Sequence, residues 1–268
     1  PWCHLSSLRG VAPLGFAESR LSDMLGIEET GRKTDMSEKY SGQSAGNRRS
    51  GGWIPSDSGQ DGGKLRAPAV ERNTAPILAV LGALIAETVP RARNGLELAS
   101  GSGEHAIAFA GNFPDIVWQP SERDPSGLSS IAAWRAEAGH GNLLEPVAVD
   151  LDEESWFREV EGPFDLLVTC NLLHISPWHV TLNLLAGAGH LLSGGGALLV
   201  YGCFSRSGDF VSESTRSFDE SLRLRTPARA VRDTDPVAPA ATPNRLSVSR
   251  IGPIPAPHPT LTLSPGCP

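Results

Sequence analysis

Two glycines and an acidic residue have the types and spacing of a nucleoside-binding turn. Gly101 and Gly103 lie in the segment Gly101-Ser102-Gly103-Glu104-His105-Ala106, which fits the pattern G-x-G-x-x-G/A. Glycines there permit a tight turn and the close approach of a ligand to the backbone. Glu122 follows at about the ~20-residue spacing of a carboxylate that binds a ribose hydroxyl. We interpret the constellation as a site for a nucleoside with a free ribose diol; the alternative is that the glycines only form a turn.

Charge near the glycines favours one cofactor over another. Glu97 and Glu104 bracket the turn, and no Arg or Lys lies close to it in the sequence. A pyrophosphate prefers the positive end of a helix without such acids, whereas S-adenosyl-L-methionine carries an ammonium and a sulfonium group. The spacing places Glu97 at the end of a strand, facing that amino-acid portion; its alternative is a solvated strand-end charge. The sequence predicts S-adenosyl-L-methionine as the cofactor and leaves a nicotinamide-dependent oxidoreductase as the alternative.

Strands and helices alternate on both sides of this turn. Short apolar runs predict strands at residues 95–99, 115–119, 146–150, 164–170 and 197–201. Helical signals begin near residues 69, 104, 124, 152 and 176, and glycines 194–196 are expected to end the last of these helices. Asp124 is a predicted N-cap and Gly139 a predicted helix stop. The pattern predicts an α/β, Rossmann-like, doubly wound and mostly parallel sheet with ligands at the carboxyl ends of its strands.

Seven segments of the chain resemble the methyltransferase-like 26 family, also called domain of unknown function 938. They are ERN (71–73), ELASGSGEHA (97–106), WQPSE (118–122), SIAAWR (130–135), CNLLHISPW (170–178), YG (201–202) and FDESLR (218–223). The resemblance implies a small class I S-adenosylmethionine-dependent methyltransferase whose acceptor is undefined. The family usually has Asp at the position of Glu122, which should keep the ribose contact with a longer side chain.

The resemblance also sets the expected domain boundaries. Residues 65–233 form the methyltransferase-like domain, and residues 1–64 contain too little apolar surface to fold, so we expect them to be disordered. After Asp233 the similarity stops, where the family continues with a helix and two more strands. Prolines recur through residues 234–268, so we expect a disordered tail that is not native to the family and a sheet lacking its last two strands. Such a chain would be a compromised enzyme, a truncated relic or a non-catalytic S-adenosylmethionine-binding protein.

Site residues follow from the resemblance and from the predicted strand ends. The residues expected to bind the cofactor are Asn73, Glu97, Ser100, Gly101, Gly103, Glu122 and Asp150. For Asp150, capping of the next helix is an equal alternative to binding adenine. For Asn73, a place in a capped helix start is an equal alternative to closing over the cofactor. Asn171 and His174 follow the fourth strand, where a methyl acceptor would lie, and are the expected catalytic residues. His174 would serve as a base if the acceptor must lose a proton, and its alternative is a structural role.

Charge and cysteine spacing limit the partners. The net charge of −7 argues against a broad nucleic-acid surface, so no DNA is expected and a small-molecule acceptor is favoured. The four cysteines lie far apart without a Cys-x-x-Cys motif, so neither a metal site nor a disulfide framework is predicted. Reduced thiols of this kind fit a cytoplasmic protein. No run of about 18 consecutive apolar residues is present, so we expect no membrane contact.

Overall fold

The computed structural model describes residues 62–252 and 260–266. The prediction of a disordered N-terminal segment therefore lies outside the described residues, apart from positions 62–64. Lys64 is buried, and its ammonium group pairs with Glu137 and lies 4.8 Å from the centroid of the Trp134 ring. The segment thus packs against the domain from Lys64 onward.

Ten strands and six α-helices make up the described part of the chain. The strands are β1 (Asn94–Leu98), β2 (Val117–Glu122), β3 (Val147–Ala148), β4 (Phe164–Cys170), β5 (Leu192–Tyr201), β6 (Phe204–Arg206), β7 (Asp209–Phe210), β8 (Arg232–Asp233), β9 (Leu246–Gly252) and β10 (Thr260–Pro265). The helices are α1 (Pro68–Glu87), α2 (Glu104–Asn112), α3 (Pro125–Ala138), α4 (Trp178–Leu191), α5 (Glu213–Arg225) and α6 (Val237–Ala241).

Seven of these strands form the main sheet, in the order β3-β2-β1-β4-β5-β10-β9. The first five run parallel, and β10 is antiparallel to both of its neighbours. Both faces of the sheet are covered: in β4, Leu167 packs into one hydrophobic cluster while Leu166 and Val168 pack into the other. This alternation follows from the two-residue period of a strand. The predicted Rossmann-like, mostly parallel fold is confirmed.

The predicted ends of α3 are also confirmed. The Asp124 side chain accepts a hydrogen bond from the Ser126 N–H at 2.8 Å, Pro125 begins the helix, and Gly139 ends it in a left-handed conformation with φ of 67°. Each of these residues acts through its local backbone chemistry, which is why the sequence pattern was sufficient.

Two local predictions were wrong. The acidic segment from Asp152 leads only to a short 3-10 helix, Trp156–Glu159, in which the Trp156 ring is buried and its N–H donates to the Asn183 carbonyl at 2.9 Å. Glycines 194–196 do not end a helix: α4 stops at Leu191, and the glycines lie within β5. A Cβ at Gly196 would lie 3.0 Å from carbonyl oxygens of β4, so this glycine allows the two strands to pair closely.

The expected loss of the last two strands was wrong as well. Residues 234–268 do not form a wholly disordered tail, because α6, β9 and β10 lie within them and the two strands complete the sheet. Leu261 and Leu263 are fully buried and alternate with buried Thr260 and Thr262, and Leu261 pairs with Val200 of β5. The prolines at 253–259 come between the two strands in the sequence and lie outside the described residues.

Helix α1 is long and apolar enough to cross a membrane, by length and composition alone. It has 20 residues and a mean hydropathy of 1.3 over an 18-residue window. Its buried residues include Ile77, Leu81 and Leu84, which join the hydrophobic cluster that also contains Phe109 of α2. One such helix is weak evidence of a membrane span, because helices of soluble proteins also meet these two criteria.

Candidate cofactor-binding site

A tight turn joins β1 to α2 at the centre of the sheet. Ala99, Gly101 and Gly103 all have positive φ, at 56°, 59° and 93°. The Ser100 N–H donates to the Ser121 carbonyl at 2.8 Å, which fastens the turn to β2. Ala99 is the exceptional member, because a side chain in the left-handed region is strained where a glycine is not.

Gly103 is needed for the close packing of α2 against α3. A Cβ at this position would lie 2.9 Å from the backbone Cα of Ile131 in α3. Close ligand approach at Gly101 and Gly103 stays a prediction. Gly127, which sequence reasoning missed, has a related role: its Cβ would lie 2.6 Å from Glu122 Cγ and 3.0 Å from the Gly101 carbonyl. A glycine in the first turn of a predicted helix was the available signal.

The fold brings Glu122 directly onto the glycine turn. Its Oε2 accepts a hydrogen bond from the Gly101 N–H at 2.8 Å, and its Oε1 accepts from the N–H groups of Arg123 and Asp124 at 2.9 and 3.2 Å. The carboxylate is thereby oriented at the end of β2. Because Oε2 accepts only one of these bonds, it retains a lone pair that can accept a further hydrogen bond, such as one from a ribose hydroxyl.

Glu97 is buried at the end of β1 and is not a solvated charge. Only 2% of the residue is exposed, and its Oε2 has no hydrogen-bond partner among the described residues. Desolvation raises the pKa of its carboxyl to about 8. A hydrogen bond with Ser100 lowers this pKa in part, and the negative charge of Glu122 raises it. The carboxyl is therefore largely protonated at neutral pH, and a cation bound beside it would favour the ionised form.

Two further groups, both missed by sequence reasoning, lie beside Glu97: the buried His105 and the half-buried Cys170. His105 is 5% exposed, its Nε2 has no hydrogen-bond partner among the described residues, and desolvation lowers its pKa to about 4. Desolvation raises the pKa of the Cys170 thiol well above its usual value, and the negative charge of Glu97 raises it further. A carboxylate oxygen of Glu97, a ring nitrogen of His105 and the sulfur of Cys170 lie within 4.8 Å of one another.

Ser100 and Asn73, two expected cofactor ligands, are both buried. The Ser100 hydroxyl accepts from the Ser121 N–H at 3.3 Å and donates to the Glu97 carbonyl at 3.4 Å, so it bonds within the protein. Asn73 lies in α1 and is 8% exposed. Glu104 connects the start of α1 to the glycine turn. Its Oε2 accepts hydrogen bonds from the N–H of Ala67 and from the Ser102 hydroxyl, at 2.8 and 2.9 Å.

Asp150 follows β3 and lies at the edge of a cavity of about 340 Å³. Its Oδ1 accepts a hydrogen bond from the Asp152 N–H at 3.0 Å and lies 3.4 Å from the Arg123 guanidinium. The Asp150 side chain thus forms an Asx turn, and no helix begins at Asp152 for it to cap. Arg123, Glu153 and Trp156 line the same cavity, which places Asp150 among groups that could contact an adenine.

Asn171 and His174 lie together where β4 and β5 end. Asn171 has a positive φ of 59°, and its N–H donates to the Tyr201 carbonyl at 2.7 Å. His174 is 5% exposed, and its ring meets the Phe218 ring edge-on with centroids 5.4 Å apart. A Cβ at Gly202 would lie 3.4 Å from His174 Nδ1. The histidine is therefore closely packed between α5 and the end of β5.

Comparison with known proteins supports the family and the fold. The profile of the family described as "Protein of unknown function (DUF938)" matches residues 64–263. The methyltransferase-like 26 name rests on the sequence resemblance alone.

Solved methyltransferases share the fold. The mitomycin 7-O-methyltransferase MmcR has a TM-score of 0.62 and 17% identity over 74% of this chain and 54% of that one. An O-methyltransferase family protein from Burkholderia thailandensis has a TM-score of 0.63 and 19% identity over 74% and 57%. PigF, solved with SAH, has a TM-score of 0.60 and 18% identity over 73% and 56%. The chain spans somewhat more than half the length of these structures, and identities this low establish the fold alone.

Proposed function

We propose that this chain, which belongs to the DUF938 family of proteins of unknown function, is an S-adenosyl-L-methionine-dependent methyltransferase. The methyltransferase fold and the site at the end of β1 support this proposal. The single observation that carries it is the Glu122 carboxylate held 2.8 Å from the Gly101 N–H, directly across the turn that would receive the nucleoside.

Sheet topology and charge both favour this cofactor over a nicotinamide dinucleotide. The Rossmann arrangement of dinucleotide enzymes has the strand order 3-2-1-4-5-6. In this chain the antiparallel β10 lies between β5 and β9. The N-terminus of α2 carries Glu104, which accepts hydrogen bonds from Ala67 and Ser102 and so keeps a carboxylate where a pyrophosphate would bind.

The proposed reaction depends mainly on position. Methyl transfer from a sulfonium is an in-line displacement, so holding donor and acceptor close and aligned supplies much of the rate enhancement. In this assignment Glu122 binds the ribose, Glu97 lies beside the amino-acid portion, and Asn171 and His174 border the acceptor. His174 would remove a proton from the acceptor where one must be lost, once a substrate reaches its buried ring.

The complete sheet removes the reason for treating the chain as a truncated relic. Leu261 and Leu263 bury apolar surface against β5 and its neighbours, so no sheet edge is left bare at β5. We therefore propose an active enzyme. The net charge of −7 favours a small-molecule acceptor over a nucleic acid, and a cytoplasmic setting is part of the proposal.

Binding and turnover of the full chain test the proposal. Calorimetry with S-adenosyl-L-homocysteine and with NAD should give saturable binding of the first and none or weaker binding of the second. Labelled S-adenosyl-L-methionine is then incubated with cell extract separated into small-molecule and macromolecular fractions. Label in the small-molecule fraction is expected. Tighter binding of NAD would overturn the cofactor assignment, cofactor binding without transfer would indicate a non-catalytic binding protein, and label in macromolecules would overturn the acceptor class.

A further inference from the structure

Three potential metal ligands from three different elements meet next to the glycine turn. Glu97 comes from β1, His105 from α2 and Cys170 from the end of β4. One ligand atom of each lies within 4.8 Å of the other two. The residues are 8 and 65 positions apart in the sequence, so no short metal-binding motif announces the cluster.

Burial makes this grouping unusual. Glu97 and His105 are 2% and 5% exposed, and the Oε2 of the first and the Nε2 of the second have no hydrogen-bond partner among the described residues. Buried side-chain polar atoms are nearly always paired, so two unpaired ones side by side indicate a missing partner. A cation is the partner that would accept lone pairs from a carboxylate and an imidazole together.

The donor set selects the kind of partner. One carboxylate oxygen, one imidazole nitrogen and one thiolate sulfur suit the borderline-soft Zn²⁺, whereas Ca²⁺ and Mg²⁺ prefer oxygen ligands throughout. Zinc sites with three protein ligands keep a fourth position for water or another molecule. Bonds of about 2.0 to 2.3 Å in a tetrahedron place ligand atoms about 3.6 Å apart. The cluster would have to contract by about one ångström, a movement within the reach of side-chain rotation.

We propose that Glu97, His105 and Cys170 bind one Zn²⁺ ion. The thiol of Cys170 and the carboxyl of Glu97 each release their proton to solvent when the ion binds, and the neutral imidazole contributes a lone pair. The site does not depend on the proposed methyltransferase activity. It shares Glu97 with the expected cofactor site, so zinc and S-adenosyl-L-methionine would compete for this carboxylate.

Metal titration of the full chain tests the site directly. The chain is prepared with Cys3→Ser and Cys267→Ser, which removes the thiols outside the described residues, and is stripped with chelator. Zn²⁺ is then titrated by calorimetry, and Co²⁺ is used as the spectroscopic probe. One ion per chain is expected, with a thiolate-to-cobalt charge-transfer band and the strong visible bands of a four-coordinate ion.

Matched variants identify the ligands. Cys170→Ser and His105→Gln should each weaken zinc binding by more than the roughly 10- to 100-fold typical of an outer-shell change. Cys203→Ser and His140→Gln, which alter a buried thiol and a half-buried imidazole outside the cluster, should leave zinc affinity unchanged. Circular dichroism checks that each variant folds.

The outcomes are separable from those for the enzyme. Absence of stoichiometric zinc in the parent chain, a cobalt spectrum without a thiolate band, or an unchanged band in Cys170→Ser would each overturn the metal site. If Cys170→Ser does not fold, the cobalt spectrum of the parent chain decides alone. S-adenosyl-L-homocysteine binding by the chelator-treated protein is measured separately, so failure of the cofactor assignment leaves the metal result intact.

Discussion

The carboxylate of Glu122 accepts a 2.8 Å hydrogen bond from the backbone N–H of Gly101, although the two residues are 21 positions apart. The contact ties the end of β2 to the turn after β1 and fixes where an acceptor for ribose hydroxyls lies. The side chain is therefore preorganised before any ligand binds, which lowers the cost of ordering it on binding.

Neutralising this carboxylate should weaken cofactor binding. A hydrogen bond to a charged group contributes about 1.5 to 3 kcal/mol, so Glu122→Gln should reduce affinity for S-adenosyl-L-homocysteine by about tenfold or more. Glu154→Gln, at an exposed position before the 3-10 helix, is the matched control and should bind normally. Calorimetry measures both, and equal affinities would show that Glu122 only supports the turn.

Gly103→Ala should destabilise the protein more than a left-handed backbone alone explains. Both Gly103 and Gly139 have positive φ, but only at Gly103 would the new Cβ lie 2.9 Å from the Ile131 backbone. Gly139→Ala should cost about 1 kcal/mol for its backbone, and Gly103→Ala should cost a further 1 to 3 kcal/mol, roughly, for overpacking. Urea unfolding compares them, and similar losses would contradict the packing role.

Ala99→Gly should stabilise the protein. Ala99 has φ of 56°, and the left-handed conformation costs a non-glycine residue about 1 to 2 kcal/mol, against about 0.5 to 1 kcal/mol of extra chain entropy for glycine. The expected net gain is about 0.5 to 1 kcal/mol in the free energy of unfolding. The same change at Ala108, inside α2, should instead cost about 1 kcal/mol. A loss at both positions would argue against strain at Ala99.

Asp124→Ala should remove the N-cap of α3 and cost about 1 kcal/mol at neutral pH. The effect depends on pH because the hydrogen bonds from the Ser126 hydroxyl and backbone lower the pKa of Asp124 below 3.8. A lowered pKa gives stability that is fully present above the unfolded value and is lost as pH falls through the folded one. Thermal unfolding at pH 7 and near pH 3 should therefore show a smaller difference between parent and variant at the lower pH.

Leu261→Ala should destabilise the protein by about 2 to 5 kcal/mol, because the side chain is fully buried in β10 where it pairs with β5. Leu224→Ala is the control, since Leu224 is 87% exposed and its loss should change stability by less than about 0.5 kcal/mol. Chemical denaturation measures both. No loss from Leu261→Ala would mean that the last strand does not belong to the folded core.

Local chemistry in the sequence was enough to predict much of this fold. Asp124, Pro125 and Gly139 act within one helix, and the apolar runs of β1, β4 and β5 alternate with helices, so the parallel sheet followed from the pattern. The last strands escaped notice because Thr260 to Leu263 alternates only two leucines with two threonines among prolines. Whether so short a run is buried depends on pairing with β5, which the sequence does not encode locally.

The glycine turn and its two acids were likewise evident from spacing, since their order along the chain reflects one crossover of the sheet. What the tertiary structure alone decided is the surroundings of each group. It buries Glu97 and raises its pKa to about 8, packs Gly103 against Ile131, and brings His105 and Cys170 to the same carboxylate. Desolvation and contacts between distant elements are properties of the packed chain, because they depend on which side chains exclude water from one another.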